Sequence, residues 1–101
     1  MVCLASPLYY WSISGQLKCA FDRLFAVAEC NAGYKNPEKD CTLLMAAEGN
    51  GFEETAYWYD NLMKHLGWTD RGKVLCGDVF GIGDIAGNPK LQEAYELGKS
   101  L

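Results

Sequence analysis

The sequence has one histidine, no C-x-x-C pair, no cluster of basic residues and no apolar run approaching the length of a membrane span. Each absence excludes something. Nine Lys and Arg are scattered against thirteen Asp and Glu, for a formal charge of -4. That pattern leaves no footprint for a nucleic acid and no polybasic patch for an anionic membrane. The longest apolar stretches, such as Leu43 to Ala47, fall far below the about 20 residues a spanning helix needs. Met1 to Trp11 is apolar, but it has no basic n-region and Pro7 interrupts it. It does not read as a signal peptide, and a cytoplasmic location is the expectation. The five cysteines, at 3, 19, 30, 41 and 76, are odd in number and lack metal-ligand spacing. They fit reduced, mostly buried thiols, inert at least on the strands, better than a disulfide frame or a metal site. Internal repeats, low-complexity segments and linkers are also missing. His65 lies near a helix end with no nucleophile motif beside it, which points to a surface or dipole role rather than catalysis.

What is present belongs to one globular domain: 101 residues, half of them hydrophobic and 22% charged. Val2 to Ser6 reads as a short strand buried on both faces, because Val-Cys-Leu-Ala is continuous rather than alternating. From Ser14 to about Cys30, Leu17, Phe21, Leu24, Phe25 and Ala28 recur at helical spacing, with Lys18 and Asp22 as neighbours on another face. Ser12 or Ser14 would cap this helix. Asn31 to Asp40 is turn chemistry, and Cys41 to Ala47 looks like a second fully buried strand. Glu53 and Glu54 suit the first turn of a second helix whose buried stripe would be Ala56, Tyr59, Leu62, Met63 and Leu66. Gly67 stops it, and Trp68 supplies the apolar contact that accompanies a glycine cap. After a turn at Thr69 to Gly72, a third strand runs from Lys73 to about Phe80, less uniformly apolar and so a candidate edge. Asn88 and Pro89 then open a last helix to about Lys99.

The order β-α-β-α-β-α implies a parallel sheet with right-handed crossovers and helices on its faces. Three strands make a small sheet, and Val-Cys-Leu-Ala is too apolar for an exposed edge, so something is expected to cover it. Gly81-Ile82-Gly83-Asp84-Ile85-Ala86 formally satisfies a dinucleotide fingerprint, but the helix is delayed by Gly87, Asn88 and Pro89, and too little chain follows for the next strand.

Three stretches together resemble a known family. Ser6 to Leu24 (SPLYYWSISGQLKCAFDRL), Leu43 to Gly51 (LLMAAEGNG) and Gly81 to Leu101 (GIGDIAGNPKLQEAYELGKSL) are similar to successive segments of the flavodoxin-like NAD(P)H-dependent FMN reductases, including the iron-sulfur flavoprotein branch. The resemblance implies a flavodoxin-like three-layer α/β fold truncated to three strands and three helices. Residues 1–101 would be a single partial domain, the C-terminal half, lacking the family's first two strands, its phosphate loop and the cysteine cluster of the iron-sulfur branch.

The resemblance also implies a site. The loop Pro7, Leu8, Tyr9, Tyr10, Trp11 and Ser12 would lie beside an FMN isoalloxazine ring, and the loop Ala47 to Gly51 would approach it from the next strand, with Ala47, Glu48 and Gly49 as its contacts. NAD(P)H would be the electron donor, no catalytic side chain is expected, and FMN binding by this chain alone should be weak or absent. Read without the resemblance, the same aromatics could fill the core or a subunit contact, and Glu48 to Gly51 could be an ordinary strand-to-helix turn. The alternative function is a cofactor-free remnant or assembly module. Under either reading a homodimer, or a complementing chain, would dock through the first strand and the adjacent aromatics.

Overall fold

The computed structural model describes all 101 residues. Strands β1 (Val2–Pro7), β2 (Asp40–Ala46) and β3 (Thr69–Cys76) form one parallel sheet in the order β1-β2-β3. Helices α1 (Gly15–Asp22) and α2 (Leu24–Glu29) connect β1 to β2, α3 (Glu53–Leu66) connects β2 to β3, and α4 (Pro89–Ser100) closes the chain. The alternating order and the parallel sheet are those expected. No helix is long and apolar enough to cross a membrane.

The expected first helix is two helices. At Arg23 the backbone N–H donates to Ala20 C=O at 3.3 Å, an i to i−3 bond that tightens the turn and separates α1 from α2. Ser14, not Ser12, is the cap: its side chain accepts from Leu17 N–H. The Lys18–Asp22 pair is made at 2.6 Å. Leu17, Phe21 and Leu24 pack on the core, but Phe25 is 72% exposed, because α2 buries no residue.

The core lies on one face of the sheet. Leu4, Cys41, Leu43 and Met45 point to it and meet Tyr59, Met63 and Leu66 from α3, with Ile13, Phe52 and Trp68 closing the ends. Full burial of a side chain such as Leu43 stabilises the fold by roughly 2 kcal/mol. Phe21 sets its ring edge-on to both Trp58 and Trp68, with centroids 6.2 and 6.0 Å apart, joining α1 to α3 and the turn after it. Gly67 takes the left-handed cap conformation, Trp68 N–H donates to Met63 C=O, and Trp68 Nε1 donates to Pro37 C=O.

The opposite face is half covered. α4 packs over β3, close enough that a Cβ at Gly72 would stand 3.0 Å from Leu97 Cδ1. Toward β1 the face is bare, leaving an open apolar cleft of about 440 Å³ floored by Ala5, Pro7, Leu44 and Ala46 and walled by Ile85, Leu91 and Ala94. β1 is therefore not buried on both faces, as its unbroken apolar run suggested. Val2, Leu4 and Ser6 face the core, whereas Cys3, Ala5 and Pro7 are exposed. The thiols divide accordingly: Cys41 and Cys76 are buried, while Cys3, Cys19 and Cys30 are exposed, so three of the five are not the buried thiols expected.

The third strand starts and ends earlier than its apolar residues indicated. Thr69 to Gly72, expected as a turn, is strand, and an extra residue opposite Cys41–Leu43 bulges β3. Gly72, at φ 133°, lies in this irregular stretch. Polar bonds make the charged stretch strand-competent. Lys73 Nζ bridges Asp60 and Asp70 at 2.7 Å each and stands 5.0 Å over the ring of Tyr59, whose hydroxyl donates to Asp70 Oδ1.

Partial burial works to raise the Asp70 carboxyl, but the bonds from Lys73, Gly72 N–H and Tyr59 outweigh it and hold the group below its usual range. A carboxylate depressed in the folded state adds stability above its unfolded pKa, about 3.9, and loses it as pH falls through the folded value. We therefore expect the stability advantage of the wild type over Asp70→Asn, measured by urea unfolding, to be constant near neutrality and to shrink below about pH 4. A difference independent of pH would remove the ionised Asp70 from the fold's stability.

Candidate functional site

In a parallel sheet the loops at the carboxyl ends of the strands meet in a crevice, and that crevice is where ligands bind in open α/β folds. Here those loops enclose an open cleft of about 690 Å³ lined by Pro7, Leu8, Tyr9, Tyr10, Trp11, Ala46, Ala47, Glu48, Gly49, Gly51 and Val79. Eight of the nine residues expected from the sequence, Pro7, Leu8, Tyr9, Tyr10, Trp11, Ala47, Glu48 and Gly49, thus share one wall system. Ser12 is the exception.

Ser12 instead closes a small hairpin. Tyr9 N–H donates to Ser12 C=O at 2.9 Å and Ser12 N–H returns to Tyr9 C=O at 3.0 Å, with Tyr10 and Trp11 as the two-residue loop. Both loop residues have positive φ, 47° and 62°, as a type I′ hairpin loop requires. That geometry normally takes Asn or Gly, and bulky aromatics there are strained. The surroundings hold the loop in place. Ser14 N–H donates to the Ser6 hydroxyl at 2.8 Å, Ile13 is buried, and Thr55 Oγ1, in the first turn of α3, donates to Trp11 C=O at 2.7 Å. The Trp11 indole lies beside Gly51, and Tyr10, 93% exposed, projects from the tip.

The second wall depends on a close approach of two loops. Ala47 N–H donates to Cys76 C=O and Val79 N–H to Ala47 C=O, so the ladder continues past the strands. Asn50 Nδ2 donates to Asp78 Oδ2 at 3.0 Å. A Cβ at Gly77 would fall 1.7 Å from Asn50 Oδ1 and 2.8 Å from Gly49 C=O, so only glycine permits this contact. Ala46 and Val79 lie outside the two loops expected from the sequence, and Gly51 lies within the second loop but beyond its expected contacts. Val79 was assigned to the third strand, which in fact ends at Cys76. The Gly77-Asp78 pair was the signal that could have moved it into a loop.

The peptide N–H groups of Tyr10, Trp11, Glu48 and Gly49 make no hydrogen bond within the chain. The residues lining the cleft therefore bring together aromatic and aliphatic side chains and four peptide N–H groups without a partner in the chain. The ionisable side chains of the cleft are Tyr9, Tyr10 and Glu48, and no Lys, Arg or His lines it. This donor set suits a flat, polar-edged ring; a phosphate would find no Lys, Arg or His here and would be opposed by the Glu48 carboxylate. The Gly81 to Ala86 stretch offers no phosphate cradle either: Asp84 Oδ2 already accepts from Phe80 N–H and Gly81 N–H, at 3.0 and 2.7 Å.

Comparison with family models, with curated proteins and with solved structures finds no match to this chain.

Two outcomes test the loop geometry. Tyr10→Asn, which relieves left-handed strain at a side chain almost wholly in water, should raise stability by about 0.5–1 kcal/mol in urea unfolding; a loss would mean that the tyrosine makes stabilising contacts. Gly77→Ala should cost about 1–3 kcal/mol through overpacking against Asn50 and Gly49, and a neutral result would show that the two loops are not held together as described.

Proposed function

We propose that the chain supplies the ring-binding half of an NAD(P)H-dependent FMN reductase-like oxidoreductase, with the flavin ring between the Pro7–Trp11 and Ala47–Gly49 loops. The single observation that carries this reading is the convergence of three otherwise unrelated loops on one apolar cleft with free main-chain N–H groups. When bound, a flavin supplies the electron chemistry, accepting hydride from a reduced nicotinamide. The chain's own residues would bind and orient. Trp11 and Tyr9 offer flat apolar surface to the ring, the N–H groups of Tyr10, Trp11, Glu48 and Gly49 suit its carbonyl edge, and Leu8, Ala47 and Val79 limit water at its inner side. No side chain needs to move a proton. Productive geometry between two flat rings requires reacting atoms about 3–3.5 Å apart, which strained, well-anchored loops favour over mobile ones.

The phosphate is a different matter. No cation lines the cleft and Glu48 opposes an anion there, and the family's phosphate loop has no counterpart in these residues, so we place the anchor on a complementing polypeptide.

The test is a fluorescence titration of the purified chain with FMN and with riboflavin, which lacks the phosphate. Weak but saturable quenching is expected for both, with dissociation constants within about threefold of each other, and Trp11→Ala should weaken both by about tenfold through lost stacking. No quenching of either flavin at millimolar concentration would reject the reading. A strong preference for FMN would show that this chain anchors the phosphate itself, against the expectation of an outside anchor.

A further inference from the structure

The two edges of the sheet are unlike. β3 presents Asp70, Arg71 and Lys73 with a bulge, the devices that keep an edge from pairing. β1 has none of them: Val2 to Pro7 is regular and uncharged, and no Asp, Glu, Lys or Arg occurs before Lys18 in a chain that otherwise carries twenty-two. Leu8 N–H donates to Ala46 C=O. By the alternation of a strand, the even residues of β1 therefore turn their main-chain groups to β2, and Cys3, Ala5 and Pro7 turn theirs outward. The surface is also too large for the mass. The chain exposes 6683 Å², where a compact monomer of 11.2 kDa exposes about 5,700 Å². The excess of about 1,000 Å² is what one partner contributes to a stable interface, about 800 Å².

We infer that β1 pairs antiparallel with β1 of a second copy about a two-fold axis at Leu4, making one six-stranded sheet. The axis is chosen by the chemistry of the edge. With Leu4 opposite the partner's Leu4, Cys3 and the partner's Ala5 exchange both main-chain hydrogen bonds, and Ala5 and the partner's Cys3 do the same. Pro7, which has no N–H to give, falls opposite Met1 at the margin of the pairing, where proline is tolerated. Side chains that meet across the seam are small or apolar: Cys3 with Ala5 on the half-covered face, Val2 with Ser6 on the core face. No like charges oppose one another, despite the net charge of -4 on each chain. The closed two-fold uses up the open edge of both copies and leaves the two protected β3 edges outermost, so the assembly stops at two. The inference does not depend on flavin binding.

Sedimentation under reducing conditions, which removes any cross-link through the exposed cysteines, tests it. The wild type should run at twice 11.2 kDa between about 1 and 100 µM, the range open to an interface of this size. Ala5→Pro removes only an outward N–H, so far-UV circular dichroism should be unchanged while the dissociation constant rises at least about tenfold, with two hydrogen bonds lost by symmetry. Ala5→Lys places a charge in the seam and should also yield monomers, and adding Cys3→Glu should restore the dimer, because residues 3 and 5 face each other only in this register. A wild-type mass of one chain at every concentration overturns the inference. So does a dimer that survives both Ala5 substitutions, or a double variant that stays monomeric.

Discussion

A sheet of parallel strands depends on having its faces covered, and in this chain that requirement is met on one side. Leu4, Leu43 and Met45 are roofed by Tyr59, Met63 and Leu66, with α1 completing the roof through Phe21 and its two tryptophan neighbours. Most of what is buried in the protein belongs to this layer, with Thr42, Val74 and Cys76 on the other face. The other face has a single helix for three strands, and α4 reaches only β3 and the groove beside it. The exposed thiol of Cys3 and the open apolar cleft are consequences of that one imbalance, while the unpaired main-chain groups of β1 follow from its place at the edge of the sheet.

The strand ends carry the candidate site for a related reason. Parallel strands deliver all their outgoing loops to the same edge of the sheet, so three loops far apart in sequence become neighbours without any direct sequence signal. What distinguishes this edge is the cost accepted to shape it. Two aromatic residues occupy left-handed backbone positions, and Gly77 lets one loop press against the next at a distance no side chain would allow. Strain of this kind persists only where the surroundings over-determine it, and here Ser6, Ile13 and Thr55 do so.

Much of the architecture was legible because it follows from local chemistry. Gly67, Asn88-Pro89 and Glu53-Glu54 mark helix ends by backbone conformation and dipole, and each sits where those rules place it. The spacing of Tyr59, Met63 and Leu66 is likewise a property of one helix. Where the structure departs from that reading, individual contacts decide, some across the fold and some within a single turn. Thr69 to Gly72 reads as a turn from its polar and glycine residues, yet Asp70 accepts from Tyr59 on α3 and pairs with Lys73, which holds this stretch in the strand. Arg23 tightened a helix that periodicity alone would have continued. Ser12 was grouped with the site by adjacency, but the hairpin turned its main-chain groups inward to Tyr9.

The chain's sequence by itself determined the parallel α/β order, most helix boundaries and the aromatic and glycine content of the site loops, since periodicity, capping and turn preference act over a few residues. Tertiary structure alone decided which face of β1 is covered, that Ala46 and Val79 join the cleft, and that no cation enters it. Burial and convergence depend on what packs from elsewhere in the chain, and an unbroken apolar run reads the same whether one of its faces or both are covered.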